Sequence, residues 1–513
     1  MELKVYRYRG GEYQELGVLS PRATLAGLQE TSEYRIACPE GQARLFVDDG
    51  PLERDGSGIY WCWSPGYYAG EVMFELEWPH RSEPLRYVAD IEPASHKTGR
   101  EQYVEYLAQI VDYAPDLVLG TEPAQHGLGG ASGSELSLWL RYARLRQFID
   151  RYQRGLQLII ERPIIRTRSR REQLALPQVR RIDGTTMRQL AQSPQMMAAL
   201  SDESVAPSDV HEQRLDVPFH EPTFDNPANR LITRQLGEVR RLTKRLIYDL
   251  IDFTEQVSET VTELTPRLPR RLEYLRRAER QFTRLSRRAP FSEVSTRQSS
   301  AAELNAVSGN PHYSMTRRLG VRLLRQGLSA LADDEQHYLA PTWEIYEAWC
   351  FVALAQQLET QFPDYDWRLR QNPRAADRAL MGRRGEQSIT LYSQLVCPSM
   401  ERTNAYGYSS ISRERRPDLV LEFGDSKGKR FICLDSKYSA SKARILDAMA
   451  SAHIYRDSLR QDGQPPERSF ILVPTSRAVS LLADEGYQAC NGVGCVAMSS
   501  EEEAEHLLAR LLN

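Results

Sequence analysis

Arg416-Pro417-Asp418-Leu419-Val420-Leu421-Glu422-Phe423, the polar turn Gly424-Asp425-Ser426-Lys427-Gly428-Lys429, and Arg430-Phe431-Ile432-Cys433-Leu434-Asp435-Ser436-Lys437-Tyr438 form the stretch on which the fold turns. Leu419–Phe423 and Phe431–Leu434 are apolar runs of strand length, and the glycines between them suit a hairpin. A hairpin symmetric about Gly424 and Lys429 sets Asp418 directly opposite Asp435. Two facing carboxylates repel, so the pairing gains nothing structurally unless a cation lies between them. Side chains alternate along a strand, which brings Asp435 and Lys437 to one face and turns Ser436 away. Hard oxygen ligands of this kind suit magnesium or manganese, whose shell is then completed by water and substrate phosphate. The implied substrate is a phosphate ester. The competing reading makes Asp418 a strand-flanking residue and Asp435 and Lys437 edge charges, since Pro-Asp and Asp-x-Lys are common patterns in a chain of this length. Strand length, register and the helix that follows favour the catalytic reading. Arginine outnumbers lysine throughout the chain, yet position 437 is lysine, a compact point charge suited to orienting a water or a phosphate.

At 513 residues the chain exceeds one ordinary core. Its 41% hydrophobic and 26% charged content is that of a soluble globular protein. No apolar run reaches the length of a membrane span and the first residues lack an apolar signal core, so a cytoplasmic protein is expected. Cys38, Cys62, Cys350, Cys397, Cys433, Cys490 and Cys495 stand singly, without zinc-ligand spacing, and read as reduced thiols. The net charge of −3 conceals asymmetry: arginines crowd between Arg141 and Arg181 and between Arg230 and Arg318, while Glu501-Glu502-Glu503-Ala504-Glu505 is acidic. Basic clusters of this kind offer contact surfaces for phosphates or an acidic partner, although a single arginine is more often part of a solvated helix face.

The expected architecture is a multidomain α+β protein. Residues 1–92 read as a small all-β sandwich or barrel for binding or docking, with strands at Glu2–Tyr8, Tyr34–Ala37, Ala43–Val47, Gly58–Trp63 and Gly70–Trp78. Tyr60, Trp61, Trp63, Tyr67 and Tyr68 could form a stacking surface, but core packing is the commoner fate of such residues. Residues 93–228 read as a mixed helical region: a helix through Tyr103, Leu107 and Ile110, a break at Gly127–Gly133, a helix over Ser134–Leu158, a basic arm or linker around Arg162–Arg168, and a loop-like crossing over 200–228. Residues 229–335 read as a long antiparallel helical hairpin or stalk, its apolar stripe running from Ile232 through Leu250 to Val261 and Leu264, with a further helix from Met315 to Leu331. Such a stalk can support a homo-oligomer, with intramolecular packing as the default. Residues 336–513 read as an α/β domain: a helix from Trp343, strands near Trp367–Leu369 and Ile389–Val396, the hairpin, a helix over Lys442–Leu459 and a buried strand Phe470–Val473. Glu347 lies between Tyr346 and Trp349 and is a candidate further ligand or water-orienting group, or else an exposed helix glutamate.

Glu347, Pro417-Asp418 and Asp435-Ser436-Lys437, in this order of elements, resemble the PD-(D/E)xK nuclease superfamily. Tyr346-Glu347-Ala348-Trp349, Leu434–Tyr438 and Asp447 with His453-Ile454-Tyr455-Arg456-Asp457 resemble McrC-like nucleases with a DUF2357-type N-terminal region. Glu161-Arg162-Pro163 and Asp225-Asn226-Pro227-Ala228-Asn229-Arg230 resemble segments of that region. The resemblance implies a magnesium- or manganese-dependent DNA endonuclease subunit of a prokaryotic defence system. Asp418, Asp435 and Glu347 would ligate the metal, Lys437 would act on water or phosphate, and His453, Tyr455, Arg456 and Arg416 would contact DNA or brace the site. The second motif acid is Asp rather than the commoner Glu, a departure the pattern permits. McrBC-type nucleases work with a separate AAA+ NTPase, and this chain has no Gly-x-x-x-x-Gly-Lys-Ser/Thr loop of its own, so the motor would be a second polypeptide. Two alternatives stand beside this reading: a non-catalytic nucleic-acid or partner-binding adaptor that retains the fold, and a nuclease for RNA or branched DNA.

Overall fold

A computed structural model describes residues 1–38, 42–79, 84–118, 134–175, 178–194, 214–257, 266–294, 306–307, 309–324, 340–371, 375–399, 401–426 and 428–512. The expected break at Gly127–Gly133, Pro207, Val261 and Leu264 of the stalk stripe, residues 325–331 of the further helix, and Lys427 lie outside these residues. The protein is a multidomain α+β chain. It divides into two compact units, one made of Met1–Ala143, Leu250–Leu272 and Gln326–Asn513, the other of Arg144–Asp249 and Glu273–Arg325.

The first unit begins with nine strands: β1 (Leu3–Arg9), β2 (Glu12–Leu19), β3 (Leu25–Gln29), β4 (Glu33–Ala37), β5 (Arg44–Val47), β6 (Gly50–Pro51), β7 (Tyr60–Trp63), β8 (Gly70–Glu77) and β9 (Leu85–Glu92). They form two sheets, β2-β1-β4-β7 and β3-β9-β8-β5-β6. Inward residues of both enter one core, including Val5, Tyr34, Ile36, Trp61, Trp63, Phe74 and Tyr87, as alternation on half-buried strands requires. Trp61 and Trp63 are thus packing residues. Tyr60 instead lies outside that core and stacks on Tyr13, with ring centroids 5.3 Å apart.

The middle of the chain supplies α1 (Arg100–Tyr113), α2 (Ser134–Glu161), β10 (Arg166–Ala175), α3 (Gly184–Gln192), β11 (Arg214–Thr223), α4 (Pro227–Val257), α5 (Leu268–Ser286) and α6 (Pro311–Leu324). The structure corrects the expected loop over 200–228 in its last part. Residues 214–223 are a strand paired over its full length with the basic segment, from Arg166↔Thr223 to Ala175↔Arg214. Pro218 and Pro222 are tolerated because a two-stranded ribbon has an outer edge on each strand where no N–H is needed. Within the second unit, two glycines permit close helix approach: a Cβ at Gly155 would collide with Thr316, and one at Gly320 with Gln235. The Asp225–Arg230 motif is a structural knot. Asn226 and Asn229 both donate to the Ile164 carbonyl at 2.8 and 3.0 Å, Tyr313 donates to Asn229 at 2.6 Å, and Arg230 forms a fork with Asp225 at 2.7 and 2.9 Å. The stalk stripe residues Ile232, Leu236, Val239, Leu246 and Leu250 are buried within the chain.

The rest of the first unit is α7 (Thr342–Gln361), β12 (Asp366–Gln371), β13 (Arg378–Arg384), β14 (Gln387–Ser393), β15 (Tyr408–Ser410), β16 (Leu419–Asp425), β17 (Gly428–Ser436), α8 (Lys442–Ser458), β18 (Leu459–Gln461), β19 (Arg468–Val473), α9 (Ser480–Ala483), α10 (Glu485–Asn491), β20 (Val493–Ala497) and α11 (Glu501–Leu512). The seven-stranded sheet runs β12-β13-β14-β16-β17-β19-β20, antiparallel as far as β17 and parallel beyond. β17, α8 and β19 make a crossover unit. Helix α7 is buried on nearly every side, Ile345, Tyr346 and Trp349–Ala355 included, which is why its sequence is apolar all round rather than striped. It covers one sheet face with α1 and α11, against Leu419, Leu421, Ile432 and Leu434. On the other face, Val420, Phe431 and Cys433 pack with Tyr408 and Leu459, while Ile471 and Val473 pack under Ile445 and Met449 of α8. Helix α1 therefore belongs to this core: Tyr106 stacks on Trp349 at 4.1 Å, and its hydroxyl donates to the Ser499 carbonyl at 3.1 Å.

Candidate catalytic site

β16 and β17 pair from Leu419↔Leu434 to Asp425↔Gly428 without a register shift. One step further along the same register, Asp418 stands across from Asp435, at the carboxyl end of β17 where the antiparallel half of the sheet meets the parallel half. Asp418 and Asp435 share the face of Val420 and Cys433, toward α8. Ser436 shares the other face with Leu434.

The two acids meet a single cation. Lys437 Nζ lies 2.8 Å from Asp435 Oδ2 and 3.5 Å from Asp418 Oδ2. Asp418 Oδ2 also accepts the Ser436 amide at 2.8 Å, and Asp418 Oδ1 accepts Gln394 Nε2 at 3.1 Å. Asp435 is only 1% exposed. Among the described residues, neither of its oxygens has a hydrogen-bond partner of good geometry, the Lys437 contact being an ion pair to Oδ2. Burial, and after it the Asp418 charge, pushes the Asp435 pKa up to about 7. For Lys437, burial acts to lower the pKa, but Asp418 and Asp435 outweigh it and hold the ammonium above its ordinary range.

Glu347 comes from α7, on the opposite face, and reaches the pair through Gln394, whose Nε2 donates to Glu347 Oε1 as well as to Asp418. Burial, then the Asp418 charge, raises the Glu347 pKa well above the carboxylate range. Gln394 is itself unusual: it follows β14 with φ of 54°, a left-handed conformation that costs a residue with a side chain about 1–2 kcal/mol. That backbone lets its N–H donate to the Asp418 carbonyl at 2.7 Å while its own carbonyl accepts from Arg416 at 3.2 Å. Gln394 has no motif signature, because a glutamine after a strand is ordinary in sequence and only the turn brings it between two acids.

The four residues expected to touch DNA or brace the site separate here. Tyr455 donates to the Arg416 carbonyl at 3.3 Å; burial, then the charges of Asp435 and Asp418, raises its pKa. Arg416 also pairs with Asp377 at 2.7 Å. Arg456 turns elsewhere, donating to the Pro466 carbonyl at 2.6 Å and lying against Gly492, and His453 is exposed on α8. Helix geometry sets Tyr455 apart from His453 and Arg456, two and one residues from it, since such neighbours do not share a face.

Three acids face one lysine, a surplus of buried negative charge that calls for a cation or a proton. Among the described residues, no group of three His, Cys, Asp or Glu side chains converges as a ready metal cage. The donor set instead fits a hard divalent cation held by Asp418 and Asp435, with Asp435 Oδ1 lacking a hydrogen-bond partner among the described residues and the remaining shell left to water and phosphate.

Residues 64–304 match the family model of a domain of unknown function, DUF2357. The matched stretch spans β8 through α5 and stops short of every site residue named above. No curated protein matches the chain. Among the described residues, no helix is long and apolar enough to cross a membrane.

Proposed function

We propose that this protein is a metal-dependent endonuclease of the PD-(D/E)xK type, McrC-like, hydrolysing phosphodiester bonds in DNA alongside a separate AAA+ NTPase. The observation that supports it most is the meeting of Asp418, Asp435 and Lys437 at one sheet end, with a buried aspartate oxygen that has no hydrogen-bond partner among the described residues. A stability-driven sequence gains nothing from such an arrangement.

Magnesium or manganese bound by Asp418 and Asp435 would acidify a water and offset charge on the phosphate. Lys437 places an ammonium beside the same position, where it stabilises the negative charge that grows as the water oxygen bonds to phosphorus and the bridging P–O bond breaks. The leaving oxygen takes its proton from solvent. Ser436 N–H and the Gln394 amide hold the Asp418 carboxylate in one orientation, and Glu347, kept toward its protonated form, supports Gln394 without adding a further charge.

The test is magnesium-dependent nicking of plasmid DNA by purified protein. Asp435→Ala and Lys437→Ala, checked as folded by circular dichroism, are expected to lose activity. Unchanged cleavage by both variants would sink the proposal.

A further inference from the structure

The residue after Lys437 is tied to the segment between the N-terminal sandwich and α1. Tyr438 shares a 2.7 Å hydrogen bond with Thr98, and the Lys97 ammonium lies 4.4 Å above its ring. Lys97 is itself nearly buried, its side chain 5% exposed, and pairs at 3.2 Å with Glu30, whose side chain is fully buried. Glu30 also accepts the Ala94 amide at 3.0 Å and the Thr342 hydroxyl at 2.6 Å. The Thr342 amide, one of the unpaired donors at the start of α7, is taken by the Tyr67 carbonyl at 2.6 Å. On its other side Tyr438 packs against Tyr346 at 5.6 Å, next in sequence to Glu347.

Residues 30 and 94–98 therefore grip both elements that carry the site: α7, which bears Glu347, and the end of β17, which bears Lys437. A buried ion pair is a costly way to join two surfaces that apolar contacts could join, and it fixes one geometry rather than many.

We infer that Glu30 of the sandwich, with Lys97 and Thr98 of the segment that joins the sandwich to α1, are positioning residues for the catalytic centre, acting through Tyr438 to hold the segment that begins at Lys437. This rests on the nuclease reading for its effect on chemistry. The sandwich then works as part of the active unit, and whatever engages it can bear on Lys437.

The test uses full-length wild type, Thr98→Val, Tyr438→Phe and the double variant, which remove hydroxyls and keep the packing. Amide hydrogen exchange over residues 438–441 is expected to accelerate about fivefold in each variant, the equilibrium worth of one hydrogen bond. Single-turnover plasmid cleavage is expected to fall on the order of tenfold with plasmid affinity unchanged, because a small misplacement of a reacting group is felt in rate before binding. The double variant should be no slower than either single one, since both remove the same bond. Exchange at the wild-type rate in all three overturns the inference whatever the cleavage result, as does faster exchange with undiminished cleavage. If wild type cuts no DNA with magnesium or manganese, the nuclease reading falls and the exchange result alone decides the coupling.

Discussion

Replacing Asp435 by asparagine should stabilise the metal-free protein while abolishing cleavage. The Asp435 side chain is 2% exposed, and burial followed by the Asp418 charge moves its pKa from 3.8 to about 7. A rise of about three units corresponds to ~4 kcal/mol against the ionised folded state above pH 7. The pull of Lys437, 2.8 Å away, is already contained in that shift, so the net gain at pH 8 is of the same order, roughly a few kcal/mol. An acid whose folded pKa is raised holds its proton more tightly when folded, so the wild type loses stability as pH climbs from about 4 to about 7 and loses no more beyond. The gap between variant and wild type should open over that window and close below it. Urea unfolding in EDTA at pH 4, 6 and 8 measures this. Added magnesium should then raise the wild-type midpoint and leave the variant unmoved. A variant less stable than wild type in EDTA at pH 8 would refute the reasoning, because it would make Asp435 a structural carboxylate.

Lys437→Met leaves Asp418 and Asp435 facing each other without a cation. It should lower metal-free stability by about 1–3 kcal/mol, the cost of breaking a buried pair discounted for the partial exposure of Lys437, with recovery in the Lys437→Met/Asp435→Asn double variant. Because the lysine pKa is raised, its stabilising charge persists at every pH below its unfolded value and is lost only as pH passes the folded one; stability and pH–rate profiles with a lysine inflection below about pH 9 would contradict that. Gln394→Ala and Gln394→Gly both remove the amide between Glu347 and Asp418 and should cut cleavage by roughly 10–100-fold. The glycine variant should be the more stable by about 1 kcal/mol in thermal or urea melts, since φ of 54° suits it; wild-type cleavage by the glycine variant would remove Gln394 from the site.

Much of this architecture can be read from local pattern. Strand-length apolar runs around a glycine turn are enough to set the β16–β17 register, and with it the Asp418 and Asp435 confrontation, because in a hairpin the turn and its length fix the register. The apolar run Ala348–Ala355 likewise marks α7 as a central helix. Strands β13, Arg378–Arg384, and β20, Val493–Ala497, are poorly marked: the first is charged at both ends and the second holds a glycine, and their pairing partners define them more than their own residues do. The β10–β11 ribbon is hidden for a related reason. With most of β10 exposed, it lacks the alternation that a buried face imposes.

The amino-acid order by itself determines which chemistry is available: two aspartates and a lysine at strand ends, with a glutamate on the preceding helix. Tertiary structure decides how they are used. It sets Glu347 on the opposite sheet face and links it through Gln394, sends Arg456 to Pro466, and locks Tyr438 to Thr98 more than three hundred residues away in sequence. Those contacts depend on which faces meet when the sandwich, α1 and α7 close over one sheet, and local residue patterns carry no record of that.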